Sequence, residues 1–506
     1  MLITDAVQSQ AARNPDKTAI FDDTCQITYR ELYHRIKKAA NFLLTYYEND
    51  FDPEATITIV GFLLNNRVEL IEFFLAATKI GLCSAIFDPK WSDVNIETII
   101  NECKLKVLIV DTELLPRLTN IPVTTKVIAI NTKNPLASSA NTSHSDGCNE
   151  DEPKRASTNG SLFYMGYTSG TTGKPKGFLR SQQSWIESFS MAQQVFSLNE
   201  DNQVMAPGPL VHSLTLYAAI QTLYFGGTFH LTSKFKRELA LEWLASNPIT
   251  HIYLVPTMFE AIYNSSISRP LGSCAPTVQS LITSGDKWTP ESKQKVKQVF
   301  ENAGIFEFYG ASELSFVTVL DPEGNSQKPD SIGKPFAGVE VSIRKQDGQE
   351  ASEGEIGQVF IKSKMIFSGY YHNEDETRQV LQGEWATVGD LAMRDSDGFL
   401  YMVGRKKNMI ISGGLNIYPE EIEKVLLMLD QIEEAVVVGV PDSYWGQKVV
   451  ALIKLRDGAV LDNQEIKALC RRHLASYKCP KEIIRVASFP YTTSGKISRT
   501  KVSELI

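Results

Sequence analysis

Short apolar strands alternate with amphipathic helical segments along most of the chain, and this alternation limits the folds open to it. Val107–Val110, Val127–Ile130 and Thr228–Leu231 have the composition and length of buried strands. Thr28, followed three residues later by Glu31, is a predicted N-cap for a helix with apolar residues at helical spacing. Because parallel strands need crossover connections, which helices supply, the pattern predicts an α/β fold with a largely parallel sheet.

Towards the C-terminus the pattern changes. Val339–Arg344 and Gly357–Lys362 are alternating, half-buried strands in turn-rich sequence, which predicts a small β-barrel-like module. After Gly404 an α+β segment of about a hundred residues follows, which is enough for a small domain. The sequence therefore predicts a large N-terminal domain of α/β subdomains over 1–404 and a small, mobile α+β C-terminal domain over 405–506.

Composition and charge exclude several classes of protein. The chain of 506 residues is 43% hydrophobic and 22% charged, an ordinary composition for a globular protein. Its formal net charge is -8 and its Lys and Arg residues are scattered, so no basic surface for nucleic acid is predicted. The seven cysteines are odd in number and form no Cys-x-x-Cys pair, which supports neither a disulfide framework nor a zinc site.

No targeting segment or membrane span is predicted. The N-terminus lacks a charged region followed by an apolar run, so we expect no signal peptide. The most apolar long segment, 68–87, is interrupted by Glu69, Glu72 and Lys79, so it falls short of the roughly 18 apolar residues of a membrane span. We expect a cytoplasmic location, and the sequence leaves the oligomeric state open, with a homodimer among the alternatives.

The stretch Tyr167–Gly177 contains three glycines, three threonines, a serine and two lysines. Glycines let the backbone approach a ligand closely, and N–H groups, hydroxyls and an ammonium together bind phosphate oxygens. The stretch is not a Walker A loop, because Gly173 and Lys174 are followed by Pro175, which has no hydroxyl for magnesium. We predict a phosphate-binding loop of another kind, with an ordinary surface loop as the alternative.

Two acidic motifs follow. Tyr309–Glu313 comes after a predicted short strand, Ile305–Phe308, and Glu313 after its glycine-containing turn is a candidate ligand for a divalent cation near phosphates. Asp390 ends the sequence Thr-Val-Gly-Asp, and an ionised Asp accepts two hydrogen bonds, which suits a ribose diol. Taken alone, each motif is also compatible with an ordinary turn.

The C-terminal part carries two more motifs. Gly404–Glu423 reads GRKKNMIISGGLNIYPEEIE and begins where the composition changes, which independently indicates a domain boundary. Pro490–Arg499 places Lys496 on a Ser-Gly turn, where an isolated lysine is ordinarily only solvated.

In their order and spacing, these stretches resemble the motifs of the adenylate-forming enzymes, which include acyl- and aryl-CoA synthetases, peptide-synthetase adenylation domains and firefly-type luciferases. The resemblance covers nearly the whole chain and is greatest to fatty acyl-CoA ligases. It implies an acid-thiol ligase that joins a carboxylic acid to the α-phosphate of ATP, releases pyrophosphate and transfers the acyl group to a thiol. The implied cofactors and co-substrates are ATP, Mg²⁺ and coenzyme A.

The resemblance also implies site residues. Lys496, Glu313, Thr168 and His212 would be catalytic, and Thr168 and Glu313 would hold the metal. Lys407 would be the hinge, where the chain absorbs a large change in backbone dihedral angles. The residues implied for binding of ATP and CoA are Thr168, Ser169, Gly170, Thr171, Thr172, Gly173, Lys176, Tyr309, Gly310, Ala311, Ser312, Asp390, Arg405, Lys407, Ser412, Gly413, Gly414, Lys478 and Lys496.

The acid and the acceptor are less closely defined by the sequence. CoA is the predicted acceptor, and the alternative is a stand-alone enzyme that loads an acyl or aryl group onto a carrier protein. A non-catalytic nucleotide-binding protein is disfavoured because Glu313, Asp390, Arg405 and Lys496 are all present. A medium- or long-chain fatty acid is the predicted substrate, with an aryl acid as the alternative. Apolar candidates for the acyl pocket, which could equally belong to the core, are Leu210, Leu214, Leu216, Phe316 and Val317.

Overall fold

The structure is a computed structural model, and it describes residues 1–47, 57–131, 152–153, 156–169, 175–266, 275–285, 288–413, 415–492, 497–502 and 505–506. The chain divides into two compact units. The first unit draws its described residues from Met1–Gly170, Lys174–Glu340 and Lys362–Leu381, and the second from Val341–Ile361 and Gln382–Ile506. The strands between 341 and 404 thus group mostly with the C-terminal segment, and the predicted hinge at Lys407 stays a prediction.

The helices and strands of the described residues are numbered in chain order. The α-helices are α1 Ile3–Arg13, α2 Tyr29–Tyr47, α3 Val68–Lys79, α4 Asp93–Cys103, α5 Gln182–Phe196, α6 Ser213–Phe225, α7 Arg237–Ser246, α8 Pro256–Ser266, α9 Pro290–Val299, α10 Pro322–Gln327, α11 Glu374–Val380, α12 Pro419–Leu426, α13 Asn463–His473 and α14 Arg499–Val502. Short 3₁₀-helices are Thr112–Arg117, Lys406–Asn408 and Ser476–Lys478.

The strands of the first unit are β1 Thr18–Asp22, β2 Gln26–Thr28, β3 Ile59–Leu63, β4 Cys83–Ile86, β5 Val107–Asp111, β6 Lys126–Ile130, β7 Leu162–Ser169, β8 Pro175–Ser181, β9 Gln203–Met205, β10 Thr228–Leu231, β11 His251–Leu254, β12 Ser280–Thr283, β13 Gly304–Ala311, β14 Ser315–Leu320 and β15 Lys334–Pro335. The remaining strands are β16 Glu340–Arg344, β17 Gly357–Lys362, β18 Leu381–Gln382, β19 Trp385–Ala386, β20 Asp390–Arg394, β21 Leu400–Arg405, β22 Ile410–Ser412, β23 Leu415–Ile417, β24 Ile432–Asp442, β25 Gly446–Leu455 and β26 Glu482–Arg485.

The larger sheet of the first unit has nine strands in the order β15-β14-β13-β12-β11-β9-β10-β1-β2. Its central strands are parallel, and the outer pairings β1–β2, β13–β14 and β14–β15 are antiparallel. All residues of β11 and β12 are buried, as expected for parallel strands covered on both faces. Residues of α7, α8 and α9 pack with these strands in one hydrophobic core, which includes Leu241, Ile252, Phe259, Leu281 and Val296.

The second sheet of this unit has six strands in the order β6-β5-β3-β4-β7-β8. Its strands are parallel except β8, which runs antiparallel to β7. A second core, which includes residues of α4, lies against it and contains Leu63, Phe87, Ile100 and Leu108. The predicted α/β class with parallel sheets is confirmed. The described residues of the glycine-rich stretch lie in the paired strands β7 and β8, at one edge of this sheet.

The second unit is built mostly from antiparallel pairs. Strands β16 to β21 form one six-stranded sheet in the order β18-β19-β17-β20-β21, with β16 beside β17. Strands β22 and β23 form a hairpin, and β24, β25 and β26 form a three-stranded sheet in which β26 is parallel to β25. Helices α12 and α13 pack with this sheet in a separate core that includes Ile422, Val437, Ala451 and Ile466.

Local sequence signals account for several element boundaries. At the start of α2 the Thr28 amide donates to the Glu31 carboxylate at 2.8 Å, and the Glu31 amide donates to the Thr28 hydroxyl at 3.2 Å. This is the reciprocal capping that the sequence predicts, and it satisfies amides that have no partner within the helix. The apolar face of α2 that follows is buried, including Leu32, Ile36, Ala39 and Leu43.

None of the helices in the described part of the chain is both long and apolar enough to cross a membrane.

Candidate active site

The first candidate element is the hairpin formed by β7 and β8. Thr168 and Ser169 end β7, and Lys176 lies opposite Thr168 near the start of β8. Thr168 and Lys176, which carry a predicted hydroxyl and the predicted ammonium, are therefore paired across two neighbouring strands. The remaining predicted residues of this loop, Gly170, Thr171, Thr172 and Gly173, lie outside the described residues.

Lys176 is held by a carboxylate. Its Nζ atom donates to both oxygens of Glu376, with a distance of 2.6 Å to Oε1, and both side chains are partly buried. Glu376 lies in the first turn of α11, where its amide donates to the side chain of the N-cap Asn373. The ammonium predicted to bind phosphate therefore has a fixed position at the base of the hairpin.

The stretch Tyr309–Glu313 differs in part from the expected strand and turn. Strand β13 does not end at residue 308 but continues to Ala311, because residues 309–311 pair with β14. The turn comes later, and the Leu314 amide closes it by donating to the Ala311 carbonyl at 3.0 Å. Ser312 and Glu313 lie in this turn, so the carboxylate is held at the end of a long strand.

Gly310 is required by the close pairing of β13 and β14. A Cβ atom at this position would lie 2.1 Å from the carbonyl oxygen of Ser315, which belongs to the neighbouring backbone. We expect Gly310→Ala to lower the free energy of unfolding by roughly 1–3 kcal/mol, as overpacking does. Because the strain falls beside the Glu313 turn, we also expect slower adenylate formation.

Chemical denaturation with a parallel activity assay measures both effects. Gly160→Ala is the matched control, because a Cβ atom at Gly160 would meet nothing within 4 Å. Equal stability of the two variants would contradict the packing argument.

Glu313 is a buried carboxylate, and the side chain that hydrogen-bonds to it is neutral. Its side chain accepts a hydrogen bond from the Tyr370 hydroxyl at 2.6 Å, and its backbone carbonyl accepts one from the Phe367 amide at 2.8 Å. The described residues contain no group of three or more His, Cys, Asp or Glu side chains able to hold a metal by themselves. Since Mg²⁺ in nucleotide sites is usually bound through one or two carboxylates, substrate phosphates and water, a single Glu313 fits this ion.

His212 occupies the N-cap position of α6 and is half-buried. Burial lowers the pKa of its imidazole, the Asp88 carboxylate opposes this shift, and Lys90 adds to it. His212 is therefore neutral at pH 7. A neutral imidazole fits a side chain that lines a pocket or donates a hydrogen bond, and it does not fit a side chain that acts as a cation. The catalytic role that the resemblance implies for His212 stays a prediction.

In the second unit, Asp390 and Arg405 form an ion pair. They lie opposite each other on β20 and β21, and Arg405 Nε donates to Asp390 Oδ1 at 2.9 Å. Asp390 is buried, whereas the Arg405 side chain is about half exposed. Asp390, the predicted ribose ligand, and Arg405, which the resemblance implies for binding ATP or CoA, are thus adjacent although they lie 15 positions apart in the chain.

The predicted hinge and the small residues after it also lie in this unit. Lys407 is part of the 3₁₀-helix Lys406–Asn408, and its side chain is exposed. Gly413 turns the β22–β23 hairpin with φ +58°, and its amide donates to the Trp445 carbonyl at 2.8 Å. A Cβ atom at Gly413 would lie 3.1 Å from the Trp445 ring, so packing is one reason for a glycine there. Ser412 is buried beside it.

Gly414 and Lys496 lie outside the described residues. Lys478 is described, and its Nζ atom donates to both oxygens of Glu421 at 2.7 and 2.8 Å. Glu421 lies in the first turn of α12. The contact of Lys478 with CoA stays a prediction.

Sequence reasoning did not identify the side chains that hold the predicted site residues in place. Most of them carry no local signal, because each reaches its partner from a distant part of the chain. Arg180 is the exception. It is a charged residue between the apolar Leu179 and the start of α5, and charged residues are rarely buried unless they are paired. The residues that were missed are Glu376, Tyr370, Arg180 and Glu421.

Two family models match this chain and together account for most of it. Residues 7–371 match the AMP-binding enzyme family, and residues 421–496 match the AMP-binding enzyme C-terminal domain. The chain belongs to the AMP-binding enzymes. The predicted adenylate-forming superfamily, and an acid-thiol ligase that uses ATP, Mg²⁺ and CoA, are thereby confirmed.

Curated relatives extend over the whole chain. The uncharacterized acyl-CoA ligase YhfT of Bacillus subtilis is 38% identical over 507 aligned residues, which cover 100% of this chain and 98% of that protein. VraA of Staphylococcus epidermidis, provisionally named a long chain fatty acid-CoA ligase, is 29% identical over 99% of this chain and 97% of its own length. The 2-succinylbenzoate–CoA ligase of a Geobacillus species is 29% identical over the same shares.

Solved structures share the fold. ATP-bound MatB of Rhodopseudomonas palustris superposes with a TM-score of 0.88 at 23% identity, covering 100% of this chain and 99% of that chain. The o-succinylbenzoate CoA synthetase MenE of Bacillus subtilis, with its acyl-adenylate intermediate, gives a TM-score of 0.84 at 24% identity over 98% and 97% of the two chains.

Proposed function

We propose that this chain activates a medium- or long-chain fatty acid with ATP and transfers the acyl group to CoA. In the first step the carboxylate oxygen attacks the α-phosphorus, pyrophosphate leaves, and an acyl-adenylate forms. In the second step the CoA sulfur attacks the acyl carbonyl carbon, and AMP leaves. The observation that carries the proposal is the full-length similarity, at 38% identity, to an acyl-CoA ligase.

The nature of the acid is the finer part of the proposal. The name of VraA, a relative over nearly the whole length, supports a long aliphatic acid. Leu210, Leu216 and Val317 are fully buried and Leu214 is half-buried, so the segments expected to line the acyl pocket are apolar. The name of the Geobacillus relative supports the alternative, an aryl acid. A carrier protein thiol is the alternative acceptor.

Each of the two units carries residues to which we assign a role in nucleotide binding. In the first unit the Lys176 ammonium, fixed by Glu376, would contact phosphate oxygens, and Glu313 with Thr168 would hold Mg²⁺. In the second unit the Asp390 carboxylate would accept hydrogen bonds from the ribose hydroxyls. The bound Mg²⁺ would supply neutralisation of charge on the phosphates. Only Nε of Arg405 is bonded within the described chain, which leaves its two NH₂ groups to reach a phosphate.

Two further residues would act at different steps. Lys496 would neutralise charge between the attacking carboxylate and the α-phosphate during adenylation. Lys407 would be the hinge about which the C-terminal domain rotates before thioester formation.

We place the reaction in the cytoplasm. The sequence leaves the oligomeric state open, and sedimentation of the purified chain would distinguish a monomer from a homodimer.

The direct test measures pyrophosphate release from ATP with a panel of carboxylic acids, each with and without CoA. Acetate, octanoate, palmitate, benzoate and 2-succinylbenzoate separate chain length from aromatic character. We expect release with octanoate or palmitate that rises with CoA and yields AMP and a thioester in equal amounts. A preference for benzoate or 2-succinylbenzoate would replace the fatty acid with an aryl acid. Release that CoA does not stimulate would favour a carrier protein as the acceptor.

A further inference from the structure

The carboxylate of Glu313 is bonded through one oxygen only. Tyr370 donates its hydroxyl hydrogen to Oε1 at 2.6 Å, and the Glu313 side chain is buried. Within the described part of the chain, Oε2 has no hydrogen-bond partner. Since both oxygens of a carboxylate accept bonds or ligate a cation, the contact with Tyr370 orients the group and leaves Oε2 available.

The segment that contains Tyr370 is hydrogen-bonded to β8, the strand that begins within the glycine-rich stretch. The Leu179 amide donates to the Gly369 carbonyl at 2.9 Å, so the backbone before Tyr370 pairs with β8. The Phe367 amide donates to the Glu313 carbonyl at 2.8 Å. This segment therefore connects β8 to the Glu313 turn through the main chain and through the Tyr370 side chain.

Arg180 makes a second connection between the same parts. It lies on β8, is 3% exposed, and donates to the carbonyls of Ser312 at 2.9 Å and Met365 at 2.7 Å. Its Nε atom donates to the Ser184 hydroxyl at 3.1 Å. Burial lowers the pKa of Arg180 to about 10, and Tyr217, Tyr164 and the Glu313 carboxylate oppose the shift. The guanidinium stays protonated at pH 7 and fixes the residue just before Glu313.

We propose that Tyr370 and Arg180 are positioning residues for the Glu313 carboxylate. Tyr370 orients the carboxylate so that Oε2 stays free for the cation, and Arg180 holds the turn that carries Glu313. The inference rests on the proposed function, because it assigns Mg²⁺ bound with ATP to Glu313. Hydrogen-bond partners of metal-ligating carboxylates matter for affinity, and their loss typically weakens metal binding about 10- to 100-fold.

Tyr370→Phe tests the role of the hydroxyl, because it keeps the ring and removes only the donor. We expect the Mg²⁺ concentration at half-maximal pyrophosphate release to rise about ten-fold or more, with the rate restored at saturating Mg²⁺. A binding measurement is independent of turnover. Calorimetry with a non-hydrolysable ATP analogue, in EDTA and then in saturating Mg²⁺, should show a smaller gain in affinity from the metal in the variant than in the wild type.

Three further variants separate positioning from a general structural effect. Tyr371→Phe removes a hydroxyl from the neighbouring residue, whose ring contacts His372, and should leave the Mg²⁺ requirement unchanged. Arg180→Lys keeps the buried charge but cannot hold both carbonyls, so it should raise the Mg²⁺ requirement. In a Glu313→Gln background, Tyr370→Phe should have no further effect on the gain in affinity from Mg²⁺.

An unchanged Mg²⁺ requirement and an unchanged gain in affinity in Tyr370→Phe, with an active wild type, would overturn the positioning role. Equal effects of Tyr370→Phe and Tyr371→Phe would overturn it as well. A wild type that releases no pyrophosphate with any acid would instead overturn the proposed function, and the calorimetric comparison would still decide the role of Tyr370.

Discussion

Replacing Lys496 with alanine is expected to slow acyl-adenylate formation by about two to three orders of magnitude, the usual cost of losing a group that stabilises transition-state charge. The acid and the α-phosphate are both anionic, and the ammonium would offset their repulsion only while they react. Thioester formation from supplied acyl-adenylate and CoA should stay largely intact, because that step would not use Lys496. Pyrophosphate release and thioester formation, assayed separately, measure the two effects.

The flanks of Lys496 define a matched control for this prediction. Tyr491 pairs with Ile497, and the Ser498 amide donates to the Pro490 carbonyl at 2.8 Å, so the two sides of the segment are joined. Lys501 is an exposed lysine a few residues further on, and Lys501→Ala removes the same charge from the same segment. Loss of both half-reactions in Lys496→Ala, or an equal loss in Lys501→Ala, would show that the role given to Lys496 is wrong.

Replacing Lys407 with proline is expected to leave adenylation within a few-fold of the wild type and to lower thioester output about a hundred-fold. Proline fixes φ near −65°, which suits a 3₁₀-helix such as Lys406–Asn408 but forbids a large rotation at this residue. If the second step needs that rotation, the enzyme stops after forming acyl-adenylate. Rapid-quench analysis of bound acyl-adenylate and released thioester measures this arrest.

The residues on both sides of the predicted pivot Lys407 are held by hydrogen bonds. On one side the Lys406 amide donates to the Gly389 carbonyl at 2.8 Å, and on the other the Asn408 side chain donates to Glu420 at 3.1 Å. Lys407→Ala is the control, because it removes the side chain and keeps the backbone freedom. Normal thioester output from Lys407→Pro would contradict the hinge, and a matching arrest in Lys407→Ala would assign the effect to the ammonium.

Features that depend on neighbours in the sequence were predictable. The capping of α2 by Thr28 and Glu31 needs only residues three apart, and the buried strands are short runs of apolar residues. The motifs that define the family are equally local, since each is a continuous stretch such as Gly404–Glu423. The end of β13 was placed too early, because its extension to Ala311 depends on pairing with β14 rather than on its own composition.

The side chains that support the site could not be read in the same way. Lys176 meets a carboxylate 200 residues away, Glu313 meets a tyrosine 57 residues away, and Arg180 bonds a carbonyl 132 residues away. Long-range contacts of this kind exist only after the sheets and loops have packed. No periodicity or spacing in the sequence encodes them.

The sequence by itself determined which chemical groups this protein carries and in which order: the glycine-rich stretch, the carboxylates Glu313 and Asp390, the cations Arg405 and Lys496, and the apolar segments that become strands and helices. These depend on residue type and short-range spacing. The tertiary structure alone decided which neutral or charged partner each group meets and how deeply it is buried. Burial and pairing set the orientation and the charge state of an ionisable group. The way in which Glu313 is held therefore depends on the tertiary structure, and only the tertiary structure brings Tyr370 and Arg180 to the Glu313 turn.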